Sequence, residues 1–451
     1  MAGPLRRLGR RLSRRLVDLA DLVGPQRRSN LDLLFQWLAY LIVDRLSILW
    51  SRDDRLWVFG ARGGEAFCDN AKYLFLWVAA NDPSIRPVWL STNDTVVETL
   101  QTHGYEAYHA RSLWGRYYTL RAGVVFVTQG FRDVFMGGAA GATLVQLWHG
   151  LPLKTVAWDA EWPAQPWPVR QCHRYMAGEI DLVTAPSSAA IEPLSSGLGI
   201  DPDRFVVTGY PRTDTFVTEI EGTELTADES LVETIEERAT DHPLVFYLPT
   251  YRAEGDSFVE AFDVSAVGET LAAHDAHLYV KAHPYEPVSA AERHPRVHWL
   301  PPSVDPYLVL PHADVLLTDY SSVAFDYLRL DRPMVFFPYD LEAYTARRAL
   351  YFEYEAVTPG AIATDSAALR SALDGALAAT AGGTDPFAAD RRHLRDRLYA
   401  TPPGDASRRV YEAVSALVFE GSIEAPTGTT AHPNRSTVSP GGTIETIFDR
   451  F

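Results

Sequence analysis

Residues 314–340 read Asp-Val-Leu-Leu-Thr-Asp-Tyr-Ser-Ser-Val-Ala-Phe-Asp-Tyr-Leu-Arg-Leu-Asp-Arg-Pro-Met-Val-Phe-Phe-Pro-Tyr-Asp. The apolar run Val315 to Leu317 reads as a buried parallel strand. Thr318, Asp319, Ser321 and Ser322 fall where a helix should begin, and Val323, Phe325, Tyr327, Leu328 and Leu330 continue with mostly helical spacing. A second apolar strand follows, Met334 to Phe337. Strand, hydroxyl-rich turn, helix and strand make half of a nucleotide-binding α/β unit. The free N–H groups and positive dipole of a helix start, with two serine hydroxyls, suit a phosphate. Ser and Asp are also ordinary N-caps, so from these residues alone a phosphate site and a simple cap both stand.

Working outward, residues 146–154 read Gln-Leu-Trp-His-Gly-Leu-Pro-Leu-Lys and residues 278–284 read Leu-Tyr-Val-Lys-Ala-His-Pro. Each places a histidine, His149 or His283, just after a strand-like run, 143–148 or 278–282. In open α/β sheets ligands bind outside the carboxyl ends of the strands, so both histidines and the hydroxyl-rich turn are expected to line one crevice.

Five motifs then occur in order: Trp148-His149-Gly150-Leu151-Pro152-Leu153-Lys154, Gly209-Tyr210-Pro211-Arg212-Thr213-Asp214, Pro249-Thr250-Tyr251-Arg252, Lys281-Ala282-His283-Pro284, and Thr318-Asp319-Tyr320-Ser321-Ser322 through Pro338-Tyr339-Asp340. The series resembles the CDP-glycerol glycerophosphotransferase family, which includes the teichoic acid polymerases and primases. The resemblance runs from about Leu56 to about Val410, with Arg62 to Leu76 similar to the family's N-terminal segment and Gly404 to Val410 to its C-terminal one. It implies an α/β fold of two facing Rossmann-like domains, the GT-B arrangement, with a cleft between them.

The chain has 451 residues, 47% hydrophobic and 12% aromatic, so two core domains are expected. Strand-like runs alternate with helical stretches and divide the body into a first domain over 51–205, the acceptor side, and a second over 206–420, the CDP-donor side. Residues 421–451, rich in Thr, Ser, Gly and Pro, read as a flexible tail. Trp158 to Pro168, with three Trp and three Pro, reads as a loop near His149. The two cysteines, Cys68 and Cys172, make no disulfide framework and no metal-ligand spacing. No zinc motif or acidic metal cluster is evident, so catalysis is expected to need no bound metal and no cofactor.

A net charge of −17 argues against a nucleic-acid partner. Lysine occurs only at Lys72, Lys154 and Lys281, all within the family-like segments. An acidic, lysine-poor chain is expected of a halophilic host; a GC-rich genome would explain the arginines but not the excess of Asp and Glu. Residues 1–28 reverse the balance, with eight arginines against two aspartates and leucines at helical spacing. A basic amphipathic helix suits an anionic membrane surface. A second apolar helix is expected over 31–50, with Leu31, Leu34, Phe35, Leu38, Leu41 and Ile42 on one face. Its uncharged run, Leu33 to Val43, is shorter than the ~20 residues of a bilayer span. Residues 1–50 are therefore read as peripheral membrane-associating helices at the cytoplasmic face, or else as a helical pair docked on the first domain.

The resemblance implies that an acceptor hydroxyl attacks the phosphorus bearing the alcohol of a CDP-alcohol and that CMP leaves. His149 matches the proposed base, since a histidine near neutral pKa suits that role, and His283 matches the second histidine, near the donor pyrophosphate. Arg252 has the geometry to clamp phosphate. Ser321, Ser322 and Lys281 are expected to hold the pyrophosphate and Asp319 to orient the donor, with Gly150, Lys154, Arg212 and Asp340 as further candidates. Plainer roles stay open: His149 as a core histidine beside Trp148, His283 as a strand end, and Arg252 paired with Glu254 or Asp256. Arg212 and Asp214 would form a local salt bridge, Asp326 and Asp331 would face solvent or cap a helix, and Asp340 would sit in a turn. The partners implied are a CDP-glycerol or other CDP-polyol donor and a glycan or lipid-linked acceptor. A nucleotide-sugar glycosyltransferase of the same architecture and a CDP-ribitol enzyme are the alternatives.

Overall fold

The computed structural model describes residues 25–46, 50–130, 132–250, 252, 261–281, 294–301 and 303–421. The basic segment 1–24, His283 and nearly all of the C-terminal tail lie outside the described residues. Two sheets organise the chain. The first is built from β1 (Asp53–Phe59), β2 (Arg86–Ser91), β3 (Ala107–His109), β4 (Ala122–Val127), β5 (Thr143–Gln146), β6 (Leu182–Ala185) and β7 (Phe205–Val207). All pairs are parallel, in the order β3-β2-β1-β4-β5-β6-β7. The second holds β8 (Leu244–Leu248), β9 (His277–Val280), β10 (Val297–Trp299), β11 (Val315–Thr318), β12 (Met334–Phe336) and β13 (Ala361–Ile362), again parallel, in the order β10-β9-β8-β11-β12-β13.

Sequence and packing agree on the central strands. β4, β8 and β11 are buried along their whole length, as apolar runs covered by helices on both faces must be. Phe59 and Phe126 stack at 4.4 Å between neighbouring strands. The short outer strands β3, β7 and β13 carry no apolar run long enough to announce them. β5 stops two residues earlier than its apolar run: Trp148 turns to φ 52°, where the ladder cannot continue.

In both sheets the strand order reverses once, between β1 and β4 in the first and between β8 and β11 in the second. The loops leaving neighbouring strands diverge at such a point and open a crevice at the carboxyl edge. Arg62 and Thr128 follow β1 and β4; Thr250 and Asp319 follow β8 and β11.

Several expectations are corrected. Trp158–Pro168 is not an open loop: it forms two 3₁₀ turns, Ala157–Asp159 and Trp162–Ala164, and Trp167 starts the helix Trp167–Glu179 with Pro168 in its first turn. The helix Ala406–Ser415, placed in the second domain by sequence, packs Val410 and Val414 into the core around Trp57 and Phe59 of the first sheet. The apolar helix runs from Pro25 to Leu46, and its buried side is Leu33 and Tyr40. Of the side chains read as its apolar face, Leu31, Phe35, Leu38 and Ile42 are all more than half exposed. The helix docks through Leu33 and Tyr40, which join the core with Leu34, Trp37 and Val43 packed against it, and Tyr40 also donates to the Glu179 carboxylate at 2.8 Å. Among the described residues no helix is long and apolar enough to cross a membrane.

Candidate active site

The turn after β5 carries His149 and is held from several sides. The Trp148 N–H donates to Gln146 Oε1 at 3.1 Å. Asn70 donates its side-chain amide to the carbonyls of Leu147 (3.2 Å) and Trp148 (2.9 Å), and Thr184 donates to Leu147 O at 2.7 Å. Left-handed backbone at Trp148 is unfavourable for a bulky residue, so these bonds hold a strained corner. His149 lies against Trp148, ring centroids 4.0 Å apart. Its Nδ1 is 3.1 Å from the Thr128 carbonyl. A carbonyl only accepts, so Nδ1 carries the proton and Nε2 keeps its lone pair. Burial holds the His149 pKa below the ordinary 6.5, Arg212 adds to this, and Asp69, the Thr128 bond and Asp133 oppose it. His149 is thus a neutral imidazole near pH 7 with its base nitrogen available.

The loop after β4 is set by Asp133. Its carboxylate accepts from the N–H groups of Gly63 (2.6 Å), Thr128 (2.7 Å), Gln129 (2.8 Å) and Gly130 (3.3 Å). One buried carboxylate therefore pins the loops at the carboxyl ends of β1 and β4, beside His149.

Gly150 joins the two halves of the site. Its φ is +121°, and a Cβ there would stand 2.3 Å from Arg212 Nη2 and 3.4 Å from Ser322 Oγ. Only glycine admits this approach. The residue after His149 therefore lies against the hydroxyl-rich turn after β11.

Arg212 does not pair with Asp214. It is buried, donates to Asp69 Oδ1 at 2.8 Å and to Asp326 Oδ2 at 2.6 Å, and lies 4.7 Å from the Tyr307 ring centroid. Asp326, expected at the surface or as a cap, is fully buried and also accepts from Tyr399 at 2.6 Å. Asp214 instead receives the N–H groups of Ala406 and Ser407 at 2.9 and 2.8 Å, anchoring the start of the last helix. Asp331 takes left-handed backbone at φ 50° and faces Arg391 at 3.5 Å.

Arg252 has its fork filled within the chain. Nε and Nη2 reach Asp340 at 2.8 and 3.0 Å, and Nη1 lies 2.8 Å from Asp319 Oδ2 in ion-pair rather than hydrogen-bond geometry. Tyr320, Tyr339 and Tyr344 surround it with centroids 5.0–5.2 Å away. Asp319 Oδ1 accepts the Thr250 N–H at 2.8 Å, tying the β8 and β11 loops together. A phosphate clamped by Arg252 would have to replace a carboxylate. Lys154 approaches this group from the first half, across the bridge to Leu350. Burial pushes its pKa down to about 8, Arg348 and Arg252 in the same direction, against Asp319.

Ser321, Ser322, Lys281 and Arg212 line a cavity of about 800 Å³. Burial and the neighbouring Arg62 lower the Lys281 pKa. A second cavity, of about 1260 Å³, opens beside Trp148, and the two share Arg62, Glu65 and Gln129. Among the described residues no cluster of His, Cys, Asp or Glu has the form of a metal site.

With this geometry in place, comparison with known proteins is specific. The model of the CDP-Glycerol:Poly(glycerophosphate) glycerophosphotransferase family matches residues 42–416. The chain belongs to this family. It is 26% identical over 342 residues to the teichoic acid poly(glycerol phosphate) polymerase of Staphylococcus epidermidis, a match covering 70% of this chain and 45% of that protein. With the enzyme of the same name from Bacillus spizizenii it shares 24% identity over 71% of this chain and 83% of the relative. The chain thus spans less than half the length of the first of these relatives. The solved structure of the wall teichoic acid polymerase TagF superposes with a TM-score of 0.69 at 21% identity, covering 87% of this chain and 96% of that one. This likeness establishes the α/β fold with parallel sheets.

Within this glycerophosphotransferase-family chain, the structure brings His149, Gly150, Arg212 and Ser322 together, and separately gathers Lys154, Arg252, Asp319 and Asp340. Asp133, and Asp305, which accepts from Lys72 and Tyr73, carry much of the site's order and were not singled out by sequence, while Asp326 was read only as a surface or capping residue. No periodicity marks an acid whose partners are backbone amides or residues far along the chain. Asn70 lay inside a quoted family-like segment, and its position between Trp148 and Arg212 gives that motif its purpose: its Oδ1 accepts the Arg212 N–H at 3.2 Å.

Proposed function

We propose that this chain transfers a polyol phosphate, glycerol phosphate by default, from a CDP-polyol to a hydroxyl of a glycan or lipid-linked acceptor, with release of CMP. The observation that carries the reading is the apposition of the His149–Gly150 turn with Ser322, in a chain of this family. The two sheets are read as facing Rossmann-like domains in the GT-B manner, about 51–205 and 206–420, with the donor on the second.

In this reading the smaller cavity takes the CDP-polyol. Ser321, Ser322 and Lys281 hold its pyrophosphate oxygens, and His283 assists there. His149 Nε2 accepts the proton of the acceptor hydroxyl as that oxygen bonds to the phosphorus bearing the polyol. The bond from this phosphorus to the bridging oxygen breaks, and CMP leaves with the electron pair. Because Nδ1 is committed to Thr128, the proton has one nitrogen to go to. Arg252 serves this reading by ordering Asp319 and Asp340 around the β11 turn. The outward stripe Leu31, Phe35, Leu38 and Ile42, continuing the arginine-rich residues 1–28, supports peripheral contact with an anionic cytoplasmic membrane face.

The test is CMP release from CDP-glycerol, CDP-ribitol and UDP-sugars by the full chain, with membrane extract as acceptor and His149→Ala as control. Release from a CDP-polyol above that control supports the proposal. Release of nucleotide only from a UDP-sugar replaces it with the glycosyltransferase reading.

A further inference from the structure

The larger cavity is not used by the donor reading. It adjoins the donor cavity at Arg62, Glu65 and Gln129 and has Trp148, the neighbour of His149, in its wall. From there it extends between the carboxyl edge of the first sheet and two helices, Pro25–Leu46 and Trp167–Glu179. At about 1260 Å³ it exceeds the roughly 300–1,000 Å³ of a small-molecule pocket.

Its lining has a distinct chemistry. Five side-chain amides contribute: Asn30, Gln36, Gln129, Gln146 and Gln165. An amide carries donors and an acceptor together, which matches adjacent hydroxyls; Gln146 uses its Oε1 on the Trp148 N–H and Gln36 its amide NH2 on Asp32 at 3.0 Å, which fixes both side chains in the lining. Phe135, Trp148, Trp162 and His173 add aromatic surface, suited to the C–H faces of a sugar ring. Trp162 and His173 are themselves stacked at 3.8 Å, and Trp158 meets Trp162 edge-on at 5.5 Å, so this wall is preorganised. Charges balance: four arginines and four carboxylates line the cavity, and one of the four, Asp133, already accepts several backbone N–H groups. A chain of polyol phosphates carries a negative charge at every unit and calls for a surplus of cations. His173 does not supply one, since burial and Arg132 hold its pKa down to about 4. Gln36 Oε1, Trp148 Nε1 and His173 Nδ1 have no hydrogen-bond partner among the described residues. These atoms sit on three elements around the cavity, the helix Pro25–Leu46, the turn after β5 and the helix Trp167–Glu179; buried polar atoms without partners call for an explanation, and a polyhydroxylated guest would offer partners to those side chains that turn toward it.

We propose that this cavity is the acceptor site and that it takes a neutral oligosaccharide, held by the amide set and the Trp162–His173 wall, rather than an anionic polyol-phosphate chain. The inference rests on the transferase reading for the word acceptor, but its binding chemistry is tested independently of turnover. The enzyme would then act where a sugar hydroxyl receives a polyol phosphate, downstream of glycosyl transfer.

The experiment uses the full chain and saturation-transfer NMR. The probes are neutral trisaccharides of glucose, mannose, galactose and N-acetylglucosamine, with tri(glycerol phosphate) as the anionic comparison. CDP-glycerol binding is followed by calorimetry. Saturable binding of at least one neutral trisaccharide is expected, weakened about tenfold or more by Trp162→Ala and by Gln165→Ala, with the affinity for CDP-glycerol unchanged. Gln165→Ala removes no packed ring, so it serves if Trp162→Ala fails to fold. The proposal is overturned if no neutral trisaccharide binds, if binding ignores both substitutions, or if tri(glycerol phosphate) is the ligand that both substitutions release. A protein that binds the sugar in this way but releases CMP from no donor would refute the transferase reading and leave the carbohydrate site standing.

Discussion

At the scale of the residue, two titrations give the site its pH behaviour. Burial lowers the His149 pKa, so the base is neutral at pH 7 and is lost only as the pH falls below the ordinary 6.5. The acidic limb of kcat/KM is therefore expected below 6.5, and His149→Ala is expected to lower kcat by about 10²–10⁴ with the fold retained. A limb above 6.5, or a variant with near-normal turnover and unchanged circular dichroism, would remove His149 from the base role. Lys154 runs the other way. Folding pulls it from 10.5 down to about 8, so the folded state holds this proton less firmly than the unfolded chain. Stability therefore rises with pH from about 8 to 10.5, and the site loses a positive charge over the lower part of that window. Donor affinity measured by calorimetry is expected to weaken as pH passes 8, and Lys154→Met is expected to abolish that step.

At the scale of the element, the His149 turn depends on glycine. Gly150→Ala puts a methyl 2.3 Å from Arg212 Nη2 at a φ of +121°. A strained backbone of this kind costs about 1–3 kcal/mol, before Arg212 is displaced from Asp326. The urea midpoint should fall by at least that much, and CMP release should fall with it. A variant of wild-type stability would mean that the turn relaxes and that the apposition with Ser322 is loose. Elements also show where sequence was legible. The central strands were, because burial on both faces demands unbroken apolar runs. The outer strands β3, β7 and β13 were not, because edges of two or three residues carry no period, although β10 at the other edge of the second sheet was read from its apolar run over 297–300. The helix Pro25–Leu46 and its apolar stripe were visible in the sequence, but not the side it docks through: Leu33 and Tyr40, outside that stripe, enter the core.

At the scale of the whole molecule, buried charge joins the two sheets. Lys72, on the helix Asp69–Asn81, donates to Asp305 Oδ2 at 2.9 Å, and Tyr73 donates to the same oxygen at 2.9 Å. Lys72 is fully buried. Removing one partner strands the other in a low dielectric, so Lys72→Met is expected to cost about 3–5 kcal/mol in thermal or urea unfolding. Adding Asp305→Asn should recover most of it, since the amide oxygen still accepts the Tyr307 N–H now bonded to Asp305 Oδ1, and the amide NH2 in the place of Oδ2 donates to the Tyr73 hydroxyl once that hydroxyl turns to accept. If the double variant is no more stable than the single one, the pair contributes by attraction rather than by mutual neutralisation.

The sequence by itself determined the parallel α/β class, the strands that lead into His149 and into Ser321 and Ser322, and the family to which those motifs belong. Each of these is written locally, in apolar runs a few residues long and in short motifs at fixed order. Only the tertiary structure decided partnership. Arg212 chose Asp69 and Asp326 over its near neighbour Asp214, and Arg252 filled its fork with Asp340. Asp326 went inside, and the final helix crossed back to the first sheet. A buried ion must find compensation wherever the fold brings an opposite charge, and the separation along the chain has no bearing on that distance.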